Sequence, residues 1–266
     1  MKHSDSNADG ARLEFDPSQG SVRVVGHVAG SRHARAQLGF CPDVDRLFED
    51  LTGVTFVAWM LRYHGMSRDE ANDRSAAILG ELGLAENMHR RIREYSKGMR
   101  QRVRLAQALA HEPSIVLLDE PMTGLDPVAR SELAAAIRRL PEQGVGVLVS
   151  SHVLHELETI VDRVVLVHQG RLLASGRVGE LRCQLPAVAH RLRVSAPRVR
   201  ELATRLVGWS QVRSIDLVDE SLEISLSGEP GFYSASTALG AEWSGGLHEV
   251  VPLDDDLASV FGYLVG

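Results

Sequence analysis

Ile115-Val116-Leu117-Leu118-Asp119-Glu120-Pro121 sets four consecutive apolar residues directly before two acids and a proline. A run that does not alternate is a strand buried on both faces, as in a parallel sheet. Val145–Val149 and Val164–Val167 read the same way, and Ala129–Leu140 and Leu154–Val161 are helical stretches that alternate with them. The alternation predicts an α/β fold with a parallel sheet covered on both faces. Upstream, Leu38–Cys41 is a short strand stopped by Pro42, and Val22–Val25 another that ends at Gly26. Residues 54–94 read as helical, with Phe56, Trp59, Met60 and Tyr63 at positions i, i+3, i+4 and i+7. Ser96 is placed to cap a helix running to His111, and Gln169-Gly170 to turn a hairpin. Beyond a break at Arg182–His190, the pattern is strand, helix, strand, strand and a final helix at Leu257–Leu264, a small α+β appendage.

The polar residues that follow the buried strands carry the chemistry. Asp119 and Glu120 lie beyond the carboxyl end of a strand, where open α/β sheets bind ligands. In a nucleotide site the first acid would hold Mg²⁺ and the second would orient the attacking water. The plainer alternative is a strand followed by an acidic helix start. Val147-Leu148-Val149-Ser150-Ser151-His152 again delivers a polar group at a strand end, and His152 is placed to contact a terminal phosphate oxygen. Ser96 and Gly98 open a helix whose free N–H groups favour an anion, although taken alone they are better accounted for by an ordinary cap.

Composition narrows the classes. The chain carries 29 Lys and Arg against 35 Asp and Glu, and 44 % of it is hydrophobic, as in an ordinary globular protein. Residues 214–266 hold ten carboxylates and no Lys or Arg, so this tail is at −10 while the rest is at +4. Such a split reads as a solvated face or as mutual neutralisation with the basic run Arg182–Arg213. An acidic balance argues against a nucleic-acid partner. No apolar run approaches the ~18 residues of a membrane span, and Met1–Gly10 has no apolar leader core, which places the chain in the cytoplasm. Cys41 and Cys183 are isolated, which excludes a disulfide framework.

In order and spacing these pieces resemble the ATP-binding subunit of an ABC transporter. Tyr95–Gln101 stands where that family has its signature loop, Ile115–Pro121 is similar to its Walker B strand, Gly124–Pro127 to its D-loop and His152 to its switch histidine. The resemblance runs from about Val22 to Glu180. Tyr-Ser-Lys-Gly-Met-Arg-Gln-Arg over residues 95–102 is similar to the exporter branch that pairs a separate ATPase with a separate permease. Asp43 sits where many members have the Q-loop glutamine. The resemblance implies a P-loop NTPase-like core over 21–185, with a helical subdomain at about 54–111. A polar segment over 1–20 precedes it and an accessory α+β domain over 190–266 follows. It further implies ATP and Mg²⁺ as cofactors, with Asp119 on the metal, Glu120 and His152 catalytic, and Ser96, Gly98, Asp126 and Asp43 at the nucleotide. An integral-membrane permease and a second ATPase subunit, in a homo- or heterodimer, are the implied partners at the inner face of the membrane.

One element of that family is missing from the sequence. A phosphate loop needs Gly-x-x-x-x-Gly-Lys-Ser/Thr, and neither of the two lysines, Lys2 and Lys97, stands in that setting. The match begins near Pro17-Ser18-Gln19-Gly20, as if just past the P-loop helix. This predicts a core truncated or degenerate at its N-terminus, with an incomplete sheet. The lost strand is expected beside the Walker B strand, where Val116, Leu118 and Val147 would lack apolar neighbours. A non-catalytic fragment, a regulatory decoy of an intact ATPase, and a start site placed too far downstream are the alternatives.

Overall fold

The computed structural model describes residues 19–44, 47–177, 180–181, 190–226, 247–253 and 256–265. Met1–Gly10, Pro17-Ser18 and Cys183 lie outside the described residues. The chain divides into two compact units, Met1–His152 and Val153–Gly266.

The first unit is built on a three-stranded parallel sheet of β3 (Leu38–Cys41), β4 (Ile115–Asp119) and β5 (Gly146–Ser150), with β4 in the centre. Ahead of it, the stretch expected as one strand is a small hairpin, β1 (Arg23–Val24) and β2 (His27–Val28). Val25 and Gly26 turn it with φ of 49° and 80°. Helix α1 (Arg32–Ala36), capped by Ser31, follows, and it has no counterpart in the sequence reading.

The 54–94 stretch is two helices rather than one. Helix α2 (Gly53–Tyr63) starts on the Thr52 cap and stops before Gly65, whose φ of 94° a side chain would resist. Helix α3 (Arg68–Glu81) restarts on a capping box formed by Ser67 and Glu70. The predicted aromatic stripe straddles the surface: Phe56 is buried, whereas Trp59 and Tyr63 are exposed. Helix α4 (Lys97–Leu109) leads into β4, and α5 (Pro127–Arg139) connects β4 to β5.

Two sequence expectations about this sheet are corrected. The lost strand was expected beside β4, yet β4 has a partner on each edge, and Val116 and Leu118 are fully buried. Among the described residues β3 and β5 are the edge strands of this sheet. Burial on both faces also fails. In register across the sheet stand Phe40, Leu117 and Leu148. Phe40 is 51 % exposed and Leu148 57 %. The opposite face carries the buried residues Cys41, Val116 and Leu118, and α4 lies against it. That approach is close: a Cβ at Gly39 would run into the Ala108 carbonyl oxygen.

In the second unit, Val164–Val167 is not a further parallel strand. It forms an antiparallel hairpin, β6 (Val164–His168) with β7 (Arg171–Gly176), turned at Gln169-Gly170 as the sequence predicts. Its inner face packs with Leu181, with residues of α6 (Leu154–Glu158), and with Leu257 and Val260 of the last helix, α8 (Leu257–Val265). A four-stranded antiparallel sheet is made by β8 (His190–Ser195), β9 (Val212–Val218), β10 (Ser221–Leu226) and β11 (Glu249–Pro252), in the order β11-β8-β10-β9. Helix α7 (Val199–Leu206) joins β8 to β9 while β10 inserts between them, a split β-α-β arrangement. Leu192, Val194, Leu202, Leu206, Leu222 and Ile224 form its core. On the other face, Arg191 and Arg193 both bond Glu223, at 3.0 and 2.7 Å, and the Arg193 hydrogen bond leads in holding its carboxyl below the usual carboxylate range. The basic run and the acidic tail thus neutralise one another here within one sheet.

Gly39→Ala is expected to lower stability by at least about 1–3 kcal/mol, since β3 and α4 must part to admit the methyl group. Urea denaturation of the two chains, compared at one pH, measures it.

Candidate functional site

The ends of the three parallel strands gather the polar residues. In-register pairing sets Asp119 opposite Ser150, whose hydroxyl donates to Asp119 Oδ1 at 2.5 Å. The chain then turns sharply. Glu120 adopts φ of 46°, a left-handed conformation costly for a residue with a side chain, while its N–H donates to the Ser150 carbonyl oxygen at 3.1 Å. The turn brings the Glu120 carboxylate against the end of β5. There it accepts from the His152 backbone N–H at 2.8 Å, the Ser151 hydroxyl at 3.3 Å and the Thr123 hydroxyl at 3.2 Å. His152 Nδ1 is 2.8 Å from Glu120 Oε1. The Glu120 side chain is 18 % exposed and that of His152 72 %, so the acid is held and the imidazole faces outward.

Asp43, just after β3, is exposed on the same edge of the sheet. Its charge and that of Asp119 both act on the Cys41 thiol. Burial pushes this thiol up to about 11, Arg104 opposes the rise, and the two carboxylates add to it. The three strands therefore bring together Asp43, Asp119, Glu120 and His152. Sequence reasoning quoted Ser150 and Ser151 and gave them no role. Two hydroxyls ahead of His152 at a strand end were the available signal.

A second group sits where the N-termini of α4 and α5 meet. Ser96 caps α4, accepting from the Met99 N–H at 3.2 Å. Asp126 caps α5, accepting from Val128 and Ala129 at 3.0 and 2.9 Å. Gly98 is buried and turned towards α5, where a Cβ would press on the Ala129 methyl group. The Lys97 side chain crosses Gly124 at the place a Cβ would occupy. Helix α4 is braced from the other side by the Arg100–Glu49 ion pair at 2.7 Å.

These residues fit Mg²⁺ in part. One carboxylate, Asp119, with the neighbouring Ser150 hydroxyl, matches an ion that keeps most of its water and phosphate ligands. Among the described residues no group of three or more His, Cys, Asp or Glu forms a metal cage. The phosphates of ATP fare worse, because the 266 residues contain no glycine-rich loop with a lysine to neutralise them.

Residues 12–123 match the family model described as ABC transporter. The daunorubicin/doxorubicin resistance ATP-binding protein DrrA of Streptomyces peucetius is 33 % identical over 193 residues, covering 72 % of this chain and 58 % of that one. A Nod factor export ATP-binding protein I of Burkholderia orbicola is 35 % identical over 162 residues, 60 % of this chain and 53 % of that one. A solved structure, that of an ATP-binding subunit of an ABC transporter, superposes with a TM-score of 0.56 at 30 % identity, covering 64 % of this chain and 72 % of that one. The chain belongs to the family of ABC transporter ATP-binding subunits. It spans about half the length of the curated relatives it matches, between 47 % and 58 %. No helix among the described residues is long and apolar enough to span a membrane.

Two outcomes test this geometry. Gly124→Ala meets both a φ of 68° and the Lys97 side chain, so it should lower stability by about 1 kcal/mol or more. Thermal denaturation beside a Lys97→Ala, Gly124→Ala double variant separates the steric part from the backbone part. Cys41, with a thiol near 11, should hold about one part in a thousand thiolate at pH 8. Folded Cys183→Ser chain should therefore resist a thiol reagent until denaturant is added, followed by absorbance.

Proposed function

We propose that this chain is the ATP-binding subunit of an export system, coupling nucleotide binding to transport through a separate membrane permease. We further propose that it contributes to a shared nucleotide site rather than a self-sufficient one. The single observation that carries this reading is the Glu120–His152 pair at the end of β4 and β5, held at 2.8 Å with the imidazole open to solvent. The names of the relatives, a drug-resistance protein and a Nod factor export protein, favour export.

Bound Mg²⁺ and ATP supply the phosphoryl group and the charge that polarises it. Around that group, Asp119 with Ser150 would hold the metal, Glu120 would orient a water once the Ser151 or Thr123 hydroxyl gives way at Oε2, and His152 would bond a terminal phosphate oxygen. Ser96 and the free N–H groups of α4 would face the phosphates of a nucleotide held by a partner subunit. The phosphate loop comes from outside these 266 residues. With no such loop, the chain's own acids have no cradled phosphate to act upon.

The docking surface for the permease is assigned to α2. A cavity of about 430 Å³ opens there among Trp59, Arg62, Tyr63, Gly65 and Met66. Tyr63 is 87 % exposed, which core packing of the aromatic stripe does not explain.

The isolated chain is expected to show no ATP turnover in a phosphate-release assay. Turnover that Glu120→Gln abolishes would overturn the shared-site reading. With a permease and an intact ATPase subunit present, Trp59→Ala, Tyr63→Ala should weaken co-purification at least about tenfold, the loss of two aromatic anchors. Aggregation of the lone chain together with failure to join any such complex would favour a non-catalytic fragment.

A further inference from the structure

Two histidines that the site does not use meet behind the α2 surface. His64 caps the C-terminus of α2, its N–H donating to the Leu61 carbonyl oxygen at 3.0 Å, and His111 follows α4. Their rings stack with centroids 4.2 Å apart and planes 20° from parallel. His111 Nε2 is 3.2 Å from the Leu38 carbonyl oxygen, where β3 begins. A carbonyl oxygen only accepts, so Nε2 carries the hydrogen and Nδ1 is the bare nitrogen. That Nδ1 is buried and has no hydrogen-bond partner. The stack thus joins the end of α2, the end of α4 and the start of β3, and it closes only with neutral rings.

We propose that the His64–His111 stack is an acid-sensitive latch, closed when both rings are neutral, that ties the Trp59–Tyr63 end of α2 to the start of β3. Protonating His111 places a proton on a buried nitrogen that has no acceptor. Protonating His64 as well sets two like charges face to face. Burial lowers the affinity of both rings for a proton, and on His111 the charge of His64 lowers it further, against the Leu38 hydrogen bond.

Surrounding charges do not offset this. Helix α3 offers Arg74, which donates to the Ala110 carbonyl oxygen at 3.2 Å and pairs with Glu112 at 3.0 Å, so these two charges are spent on each other. Arg62, on the last turn of α2, adds a further positive charge. The partial negative charge at the end of α2 favours a proton on His64, and burial outweighs it. Because the folded rings bind protons more weakly than free ones, the latch is intact above the ordinary histidine range near 6.5. It is lost as the pH falls below that range. Gly65, with no atom near its missing Cβ, is the point about which the end of α2 can swing.

The latch itself is independent of the docking reading; its consequence for the cavity at Trp59, Arg62, Tyr63, Gly65 and Met66 rests on that reading. Hydrogen exchange of the full chain at pH 7.5 and 5.5, corrected for chemical exchange rate, tests the latch without any permease. Protection over residues 38–41 and 61–66 should fall, by up to about tenfold per pH unit for each proton taken up. In His111→Phe, which keeps a ring in the stack and removes the buried nitrogen, that fall should disappear, and in His64→Phe, which leaves one titrating ring, it should shrink. An equal fall in both variants, or none in the native chain, overturns the proposal. If His111→Phe does not fold, the His111 proton resonances decide in His64→Phe. With the neighbouring charge gone, His111 should titrate at higher pH than in the native chain, and an unchanged midpoint overturns the latch. Loss of permease binding at pH 5.5 in native chain but not in His111→Phe tests the consequence separately.

Discussion

The in-register parallel pairing of β4 between β3 and β5 is the constraint on which the candidate site depends. It fixes Asp119 opposite Ser150, and the next residue on each strand then has nowhere to go but the carboxyl-end crevice. A shift of one residue would turn Val116 and Leu118 out of the core and carry Asp119 off its hydroxyl partner, so hydrophobic burial and site geometry select the same register. The left-handed Glu120 shows the strain this requires. Four donors converge on its carboxylate from the end of β5 and from Thr123, and together they hold a conformation the residue would not keep alone.

Rigidity of a different kind joins α4 to α5. Gly98 against Ala129 and Lys97 across Gly124 leave no room between the two N-termini, so the capped start of α4 moves with the loop that Asp126 terminates. Both glycines have packing reasons in this chain, and Asp126 has a capping one. The nucleotide role proposed for the start of α4 is compatible with these duties. A helix start that is held in place offers its free N–H groups to an anion without first losing conformational entropy.

Local signals in the sequence were legible wherever one residue type answers one local demand. Ser96 caps because its hydroxyl reaches the Met99 N–H, and Gln169-Gly170 turns a hairpin because the second position tolerates a positive φ. The apolar run Ile115–Leu118 announced a buried strand, and the two acids after it announced a crevice. Strand order was not legible, since Val145–Val149 and Val164–Val167 have the same composition and only tertiary pairing makes one parallel and the other a hairpin. The break between α2 and α3 was hidden for a related reason. Apolar spacing persists through His64 to Met66, and the information lies in the Ser67–Glu70 box, which periodicity does not weigh. Ser151 and Thr123 were given no role because a hydroxyl that orients a carboxylate looks, in sequence, like any surface hydroxyl.

The exposed face of the sheet is where pattern and structure disagree most usefully. Non-alternating strands are written for burial on both sides, and β3 and β4 meet that demand on the α4 side alone. Phe40 and Leu148, in register with Leu117 between them, stay more than half exposed on the other. At about 25 cal/mol per Å² of apolar surface, covering two such side chains is worth a few kcal/mol, a sizeable part of a domain's ~5–15 kcal/mol stability. One of the sheet's two edge strands among the described residues is β5, the strand that delivers Ser150, Ser151 and His152. Leu148 on the exposed face and the polar residues at the end of β5 thus share one strand, so whatever covers that face also borders the site.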